Sequence, residues 1–411
     1  MIEKYYDGAI EQVAAGLGTV EKNYLLVRYS GQFSVENLND TKQLEKNEDI
    51  FVQVHEFETG EITCAYEPYL TMICDGFRRY MTGTFEEFME TCDVYYLHRP
   101  VLLGYFNQDN TGREEIILLD EVAYEQERML AALERMLCAI ADRHPVLFVL
   151  NRFQLASKST MQLTARFLKC ENCNIGLVLG VSDIQAMPEF LVPDWEMLYE
   201  TLDDGSKIYH IGNSGRKKEE TIDDEKYVDY GSEKVYRKLQ NMVEFLDFDQ
   251  AAYYLETIER KIKFDNLLVD DAARFRMWLL FVKVSILRQD IPKALEICED
   301  LEKIHLAGKE EECAYEQDYL IATAYMYQGK LKEALEMAGE TYRIAGKMSD
   351  DYRMFLSELL EAKIQMSGWY NIFFCAQDVK IKESLIQNLI RYNYRNHLAH
   401  DPGNVQCCRR M

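Results

Sequence analysis

Short apolar runs recur through the first half of the chain, with polar or amphipathic stretches between them. Runs of this length are typical of strands that are buried on both faces, as in a parallel sheet. The pattern predicts strands at 25–27, 50–54, 146–150, 175–181 and 207–211, and helices at 68–80, 121–143 and 160–168. This alternation favours an α/β domain with a mostly parallel sheet over residues 1–212.

From residue 233 onwards the strand-like runs stop, and helical patterns come in pairs joined by tight turns. A turn followed by alanine and leucine recurs about every 40 residues, a period typical of helical solenoids. The segment 314–346, with the run 321–329 followed by Ala334-Leu335, resembles a tetratricopeptide repeat. We therefore expect an all-α helical-hairpin solenoid similar to tetratricopeptide (TPR) arrays over 233–400, with an irregular helical bundle as the alternative.

Three segments fall outside these two regions or at their ends. Residues 213–232 are polar and charged with few apolar anchors, which predicts a linker. Residues 384–398 have the spacing of one more amphipathic helix. Repeat arrays usually end in a helix with a polar outer face, and none is visible here. We expect the tail 401–411 to be disordered, or the chain to be truncated relative to a longer relative.

The chain of 411 residues carries a formal net charge of −24. Without a basic patch, such a chain is repelled by nucleic acid and by anionic membranes, so direct binding to either is not expected. No signal peptide and no run of about 20 apolar residues is visible. The 11 cysteines follow no spacing framework. Reduced thiols and a cytoplasmic location are expected.

The order of segments in residues 1–212 resembles the AAA-like P-loop domain of STAND-class NTPases. The resemblance includes the stretch Tyr66-Glu67-Pro68-Tyr69 and the strand and helix at 146–168. The class includes large bacterial regulators related to the maltose activator, which join such a domain to TPR-like repeats. The resemblance implies a P-loop fold, ATP and magnesium as ligands, and a role in signalling. The alternative is an unrelated α/β domain.

The residues that bind phosphate in this class are missing from the loop after the first strand. A P-loop needs glycines, a lysine for the phosphates and a hydroxyl residue for magnesium. When the loop is aligned on Leu38, the lysine position is Val35 and the hydroxyl position is Glu36. Gly31 and Ser34 are the remnants of this degenerate loop.

The acidic residues that hold magnesium and activate water in this class are also replaced. The strand at 146–150 ends in Asn151-Arg152, and Ser157 stands where an acid is usual. Ser182-Asp183 follows the fourth strand, where the family often has an arginine. ATP hydrolysis is therefore not expected and no cofactor is assigned, although residual ATP or ADP binding is left open.

The remaining motifs do not predict a catalytic or metal-binding site. Cys170 and Cys173 form a Cys-x-x-Cys without a second pair, and His397 and His400 have no third ligand, so no metal site is predicted. Candidate partner contacts in the repeats are Tyr315, Tyr319 and Tyr352, since aromatic residues carry binding energy at interfaces. The alternative is that these tyrosines pack between helices.

The leading hypothesis from the sequence is a non-catalytic signalling scaffold. A pseudo-NTPase domain would precede a repeat groove that binds a protein or peptide. The alternative is a nucleotide-sensing regulator, transcriptional by family analogy, and a third reading is a truncated relic without function. The sequence leaves the partner and the oligomeric state open.

Overall fold

The computed structural model of the chain describes residues 2–17, 24–29, 49–58, 61–108, 122–170, 174–182, 187–203, 208–211, 229–265 and 267–370. The chain divides into two compact units, Met1–Val269 and Asp270–Met411. Each unit is described below by itself.

A five-stranded sheet forms the centre of the first unit. Its strands are β1 (Tyr24–Tyr29), β2 (Phe51–Glu56), β3 (Val146–Asn151), β4 (Ile175–Ser182) and β5 (Ile208–Ile211). Neighbouring strands are parallel throughout, in the order β2-β3-β4-β1-β5. Every apolar run predicted as a strand is a strand, so the prediction of an α/β domain with a parallel sheet is confirmed.

The continuous apolar character of the central strands has a direct physical cause. Every residue of β3 and β4 is buried, because helices cover the sheet. One such helix is α1 (Ile2–Gly16), whose Ile10 and Val13 pack on Leu25 and Val27 of β1. Gly176 of β4 permits the close approach of α1, since a Cβ atom there would lie 2.7 Å from Val13 Cγ1.

The other helices of the first unit follow the predicted pattern where one was stated. They are α2 (Tyr69–Tyr80), α3 (Phe85–Thr91), α4 (Arg99–Asn107), α5 (Val122–Ala141), α6 (Lys158–Lys169), α7 (Val192–Asp203), α8 (Glu233–Glu244) and α9 (Phe248–Phe264). The apolar stripe of α5, from Met129 to Ile140, is buried as its helical spacing predicts. The sequence pattern places Pro68 in the first turn of this helix; in the structure Pro68 immediately precedes α2.

The division between the units differs from the predicted one. Residues 213–232 were expected to be a linker and residue 233 the start of the repeats, but α8 and α9 belong to the first unit. Val235, Leu239 and Met242 form the buried side of α8. An amphipathic pattern shows that a helix has an apolar face but not which core receives it. Residues 212–228 lie outside the described residues.

The described part of the second unit is helical. Its helices are α10 (Asp271–Leu287), α11 (Ile291–Leu301), α12 (Glu310–Gln328), α13 (Leu331–Met348) and α14 (Asp351–Tyr370). The pairs α10–α11 and α12–α13 are joined by tight turns, as the helical pattern predicts, and Gly329 ends α12 in a left-handed conformation with φ of 79°. Residues 384–398 and 401–411 lie outside the described residues.

Candidate functional site

The carboxyl ends of the strands bring together the polar residues that end the apolar runs. Tyr29 of β1 is in register with Ser182 of β4, and Asn151 of β3 is in register with Glu56 of β2. β1 lies between β4 and β5, although β4 is followed in the chain by β5. Ligands of open parallel sheets bind at the carboxyl ends of strands where the order reverses in this way. This edge is therefore the candidate site.

A hydrogen bond between two buried neutral groups occupies the middle of this edge. The Tyr29 hydroxyl donates to Asn151 Oδ1 at 2.7 Å. Tyr29 is 1% exposed and Asn151 is fully buried. Burial raises the pKa of the Tyr29 phenol to about 12, so the group is neutral at physiological pH. Neither partner supplies a charge for a phosphate or a metal ion.

An ion pair lies next to this hydrogen bond. Arg152, which follows β3 in a left-handed conformation with φ of 52°, places its Nη2 atom 3.2 Å from Oε1 of Glu56. Both side chains are largely buried. The guanidinium at this edge is therefore engaged by a carboxylate of the neighbouring strand.

The side-chain amide of Gln154, just beyond β3, bonds to the backbone at the end of β4. Gln154 Nε2 donates to the backbone oxygen of Ser182 at 3.2 Å, and the backbone nitrogen of Ser182 donates to Gln154 Oε1 at 3.4 Å. This two-way bond satisfies the end of β4 from within the chain. Phe153 and Ala156, on either side of Gln154 and Leu155, are fully buried.

The charge and hydrogen bonding of these groups determine which ligands and reactions the carboxyl ends of the strands can support. An ionised carboxylate can hold magnesium or accept a proton, whereas the Asn151 amide is neutral and its oxygen accepts a hydrogen bond from the Tyr29 hydroxyl. The site therefore consists of polar groups that bond to one another.

The structure places some of the predicted site residues at this edge and leaves others undescribed. Asn151 and Arg152 lie at the carboxyl end of β3, as predicted. Ser157 is buried as the N-cap of α6 and accepts a hydrogen bond from the backbone nitrogen of Thr160. The predicted loop and motif residues Gly31, Ser34, Val35, Glu36, Asp183, Cys173, His397 and His400 lie outside the described residues.

The three tyrosines predicted as partner contacts differ in exposure. Tyr315 is 2% exposed and its hydroxyl donates to the backbone oxygen of Arg353 at 2.9 Å, so its assignment as a contact residue is corrected to helix packing. Tyr319 is half-buried and stacks on Tyr315, with ring centroids 6.0 Å apart. Tyr352 is 44% exposed and keeps a surface for contacts.

A second polar cluster, which the sequence did not reveal, lies where α6 meets the turn between α8 and α9. We call it the buried junction; it comprises Tyr66, Ser157, Ser159, Thr160 and Asp247. The backbone nitrogen of Ser159 donates to Asp247 Oδ2 at 3.0 Å, and Ser159 Oγ accepts from the backbone nitrogen of Tyr66 at 3.0 Å. Burial raises the pKa of the Asp247 carboxyl.

Further polar contacts hold α8 and α9 around the buried junction. Lys158 pairs with Asp249, and Asn241 Oδ1 accepts from the backbone nitrogen of Ala65 at 3.2 Å. Lys238 Nζ donates to Glu61 Oε1 and to the backbone oxygen of Ile62, each at 2.7 Å. In a chain with 70 acidic residues, no sequence signal distinguishes Asp247 or Asp249 from the others.

Comparison with known proteins gives no relative for this chain. No family model, no curated protein and no solved structure matches it.

Searches for metal sites and membrane spans give no candidates in the part of the chain that the structure describes. No group of three or more His, Cys, Asp or Glu side chains there is arranged to hold a metal ion. Within the same residues, no helix is both long and apolar enough to cross a bilayer. The described cysteines, Cys170 among them, are free thiols.

Proposed function

We propose that this protein is a non-catalytic scaffold, in which a degenerate STAND-like P-loop domain is joined to a TPR-like helical array that binds a protein or peptide. The domain would keep the fold of a nucleotide switch without its chemistry. The array would supply the recognition surface.

The topology of the sheet supports the P-loop part of this proposal. In the parallel sheet of order β2-β3-β4-β1-β5, β1 lies in the interior next to the point where the strand order reverses, as in doubly wound sheets that bind nucleotides. The loop after β1 then starts at the switch point, where such domains bind phosphate. The helical hairpins α10–α11 and α12–α13 support the repeat part.

The observation that carries the proposal is the hydrogen bond from Tyr29 to Asn151. In a working P-loop enzyme, the end of β3 presents carboxylates to magnesium and water. Here the end of β3 presents an amide, and the phenol of the residue that ends β1 binds it at 2.7 Å. This arrangement satisfies the two groups without nucleotide and leaves no general base between them.

The test is phosphate release from ATP with magnesium, measured on the full chain and on Asn151→Ala. We expect both proteins to be indistinguishable from the blank, because the amide takes no part in catalysis. An Asn151→Asp variant restores one acid and is also expected to be inactive, since Val35 and Glu36 still stand at the phosphate-binding positions.

Turnover that scales with protein concentration and is lost in Asn151→Ala would contradict the proposal. The thermal unfolding of Asn151→Ala must be compared with that of the parent, so that lost activity is not confused with lost folding.

The alternative function is a nucleotide-sensing regulator. One observation favours it: the carboxyl edge with its strand-order reversal is retained, and this is the part of the fold that binds nucleotides in related architectures. A regulator of this kind binds ATP or ADP without turning it over, so a binding measurement separates it from the scaffold.

A further inference from the structure

A cavity with a volume of about 450 Å³ lies in the first unit between α2, α4 and α8, and we call it the α8 cavity. Small-molecule sites in proteins have volumes of this order. The α8 cavity shares no residue with the carboxyl ends of the strands or with the buried junction. The side chains that matter for its chemistry are Thr71, Asp75 and Arg78 of α2, Tyr105 of α4, and Arg237 and Glu244 of α8.

Both cationic side chains that line the α8 cavity already belong to ion pairs. Arg78 Nη1 lies 3.2 Å from Asp75 Oδ1, and Arg78 Nη2 donates to the backbone oxygen of Phe106 at 2.8 Å. Arg237 Nε lies 3.2 Å from Oε1 of Glu233, one helical turn earlier. Each guanidinium group therefore has a carboxylate of its own helix as a neighbour, and Asp75 is engaged by the first of these pairs.

Glu244, at the end of α8, is the remaining charged side chain of the lining, and it has no cationic partner among the residues that the structure describes. Its Oε1 atom accepts a hydrogen bond at 2.7 Å from Nε2 of Gln240, which is neutral. Burial raises the pKa of the Glu244 carboxyl, and the hydrogen bond from Gln240 offsets only part of this. A half-buried carboxylate of this kind interacts favourably with a cation that enters the cavity.

Two aromatic rings line the same cavity. Tyr105 and Phe245 meet edge to face, with ring centroids 5.7 Å apart and an interplanar angle of 90°. The Tyr105 hydroxyl lies 3.3 Å from Thr71 Oγ1, so its polar end is engaged by α2. Aromatic faces attract cations through the quadrupole of the ring, and organic ammonium ligands are recognised in this way. An unpaired carboxylate beside two rings is therefore a suitable environment for an organic cation.

We propose that the α8 cavity binds a small alkylammonium compound, with Glu244 as the counter-ion of the ammonium group. The ammonium group donates to the Glu244 carboxylate, and the hydrocarbon chain packs on the rings of Tyr105 and Phe245. An anionic ligand is disfavoured, because it would face the unpaired carboxylate in a chain with a net charge of −24. This site goes beyond the proposed scaffold function and does not depend on it.

The test is calorimetric titration of the full chain with three probes of equal chain length: pentylammonium, pentan-1-ol and pentanoate. At pH 8 the amine of the first probe is protonated, as a lysine side chain is. We expect saturable binding of pentylammonium with a Kd of about 1 mM, which is ordinary for a ligand of this size. The neutral and anionic probes are expected to give no saturable heat, because neither can pair with the carboxylate.

A pair of matched variants identifies the counter-ion. Glu244→Gln is expected to weaken the binding of pentylammonium by roughly tenfold or more, because an amide offers no charge to the ammonium group. Glu86→Gln is the control: it makes the same change in net charge at an exposed position of α3, outside the cavity, and is expected to leave the Kd within about twofold. Thermal unfolding of both variants and of the parent checks that the fold is retained.

The proposal is overturned if pentylammonium gives no saturable heat up to about 20 mM, or if pentan-1-ol binds as tightly as the cation. It is also overturned if Glu244→Gln and Glu86→Gln bind pentylammonium alike. A preference for pentanoate would make Arg78 or Arg237 the charged partner and would equally contradict it. The comparison of the three probes uses the parent protein alone, so it decides the matter even if Glu244→Gln fails to fold.

Discussion

Tyr29 and Asn151 show how a few side chains decide the chemistry of the candidate site. The phenol is a donor whose pKa burial raises to about 12, and the amide oxygen accepts its hydrogen bond. The two buried groups are therefore hydrogen-bonded to each other without a ligand. The same pair makes the site testable by single substitutions.

Removal of the Tyr29 hydroxyl is expected to destabilise the first unit. Tyr29→Phe leaves the buried Oδ1 of Asn151 without this donor, which costs about 1–3 kcal/mol of unfolding free energy. Urea unfolding measures the change. Tyr352→Phe is the matched control, since Tyr352 is 44% exposed and a surface substitution changes stability by less than about 0.5 kcal/mol. Equal effects at the two positions would contradict the assignment.

Asp318 in α12 is expected to make stability depend on pH. Burial, together with Glu340 and Glu302, raises the pKa of its carboxyl to about 6. The folded state therefore holds this proton more tightly than the unfolded state, and stability is lost as pH rises from about 4 to about 6. Above pH 6 the loss is complete.

Replacement of Asp318 by asparagine removes the loss of stability that ionisation of the buried carboxyl causes. Asp318→Asn is expected to raise the unfolding free energy by about 1 kcal/mol at pH 7, after a discount for the partial solvent exposure of the site. The gain should vanish below about pH 4, where the aspartate is protonated in both states. Asp351→Asn, at an exposed position, is the control. The same gain in Asp351→Asn, or a gain in Asp318→Asn that does not depend on pH, would show that ionisation of the buried Asp318 carboxyl is not the cause.

At the scale of elements, the close packing of α1 on β4 depends on Gly176. A Cβ atom at this position would lie 2.7 Å from Val13 Cγ1 and 3.0 Å from Leu147 Cδ1. Gly176→Ala is expected to lower the unfolding free energy by about 1–3 kcal/mol, because valine is stiff at χ1 and cannot move aside. Thermal unfolding followed by circular dichroism is a suitable measurement.

The control for this substitution is another glycine with open space around it. Gly346 lies inside α13, and a Cβ atom there would meet nothing within 4 Å. Gly346→Ala is expected to be neutral or to stabilise by up to about 1 kcal/mol, because alanine favours the helix. A loss at Gly346 as large as that at Gly176 would show that steric crowding is not the cause.

The strands and most helices could be predicted because their signal is local. The runs at 146–150 and 175–181 are apolar throughout, which only a strand buried on both faces explains at that length. The membership of α8 in the first unit was not predictable, because its partners at 61–65 lie more than 170 positions earlier in the chain. Periodicity carries no information about such distant contacts.

The candidate site was predictable in part. Asn151 was identified because it ends an apolar run at the position of an expected acid. Tyr29 was not identified, since an aromatic residue at a strand end has no distinctive pattern. Asp247 was hidden among the 70 acidic residues, and its burial arises from the packing of the α8–α9 turn against α6.

At the scale of the whole molecule, a strongly acidic chain carries a sheet whose polar groups, at the carboxyl ends of the strands, bond to one another. The net charge of −24 opposes the approach of a polyphosphate, and Arg152 at the carboxyl end of β3 is paired with Glu56. The described part of the second unit consists of helices, including the hairpins α10–α11 and α12–α13.

Calorimetric titration of the full chain with ATP and with ADP, each with magnesium, tests this account most directly, with thermal unfolding measured in parallel. Ligand at 100 times its Kd stabilises a protein by about 2.7 kcal/mol, so about 5 mM nucleotide would reveal a site with a Kd of about 50 µM. The account predicts no saturable heat and no shift in Tm. A saturable heat with a matching rise in Tm would contradict it and establish a nucleotide-sensing protein instead.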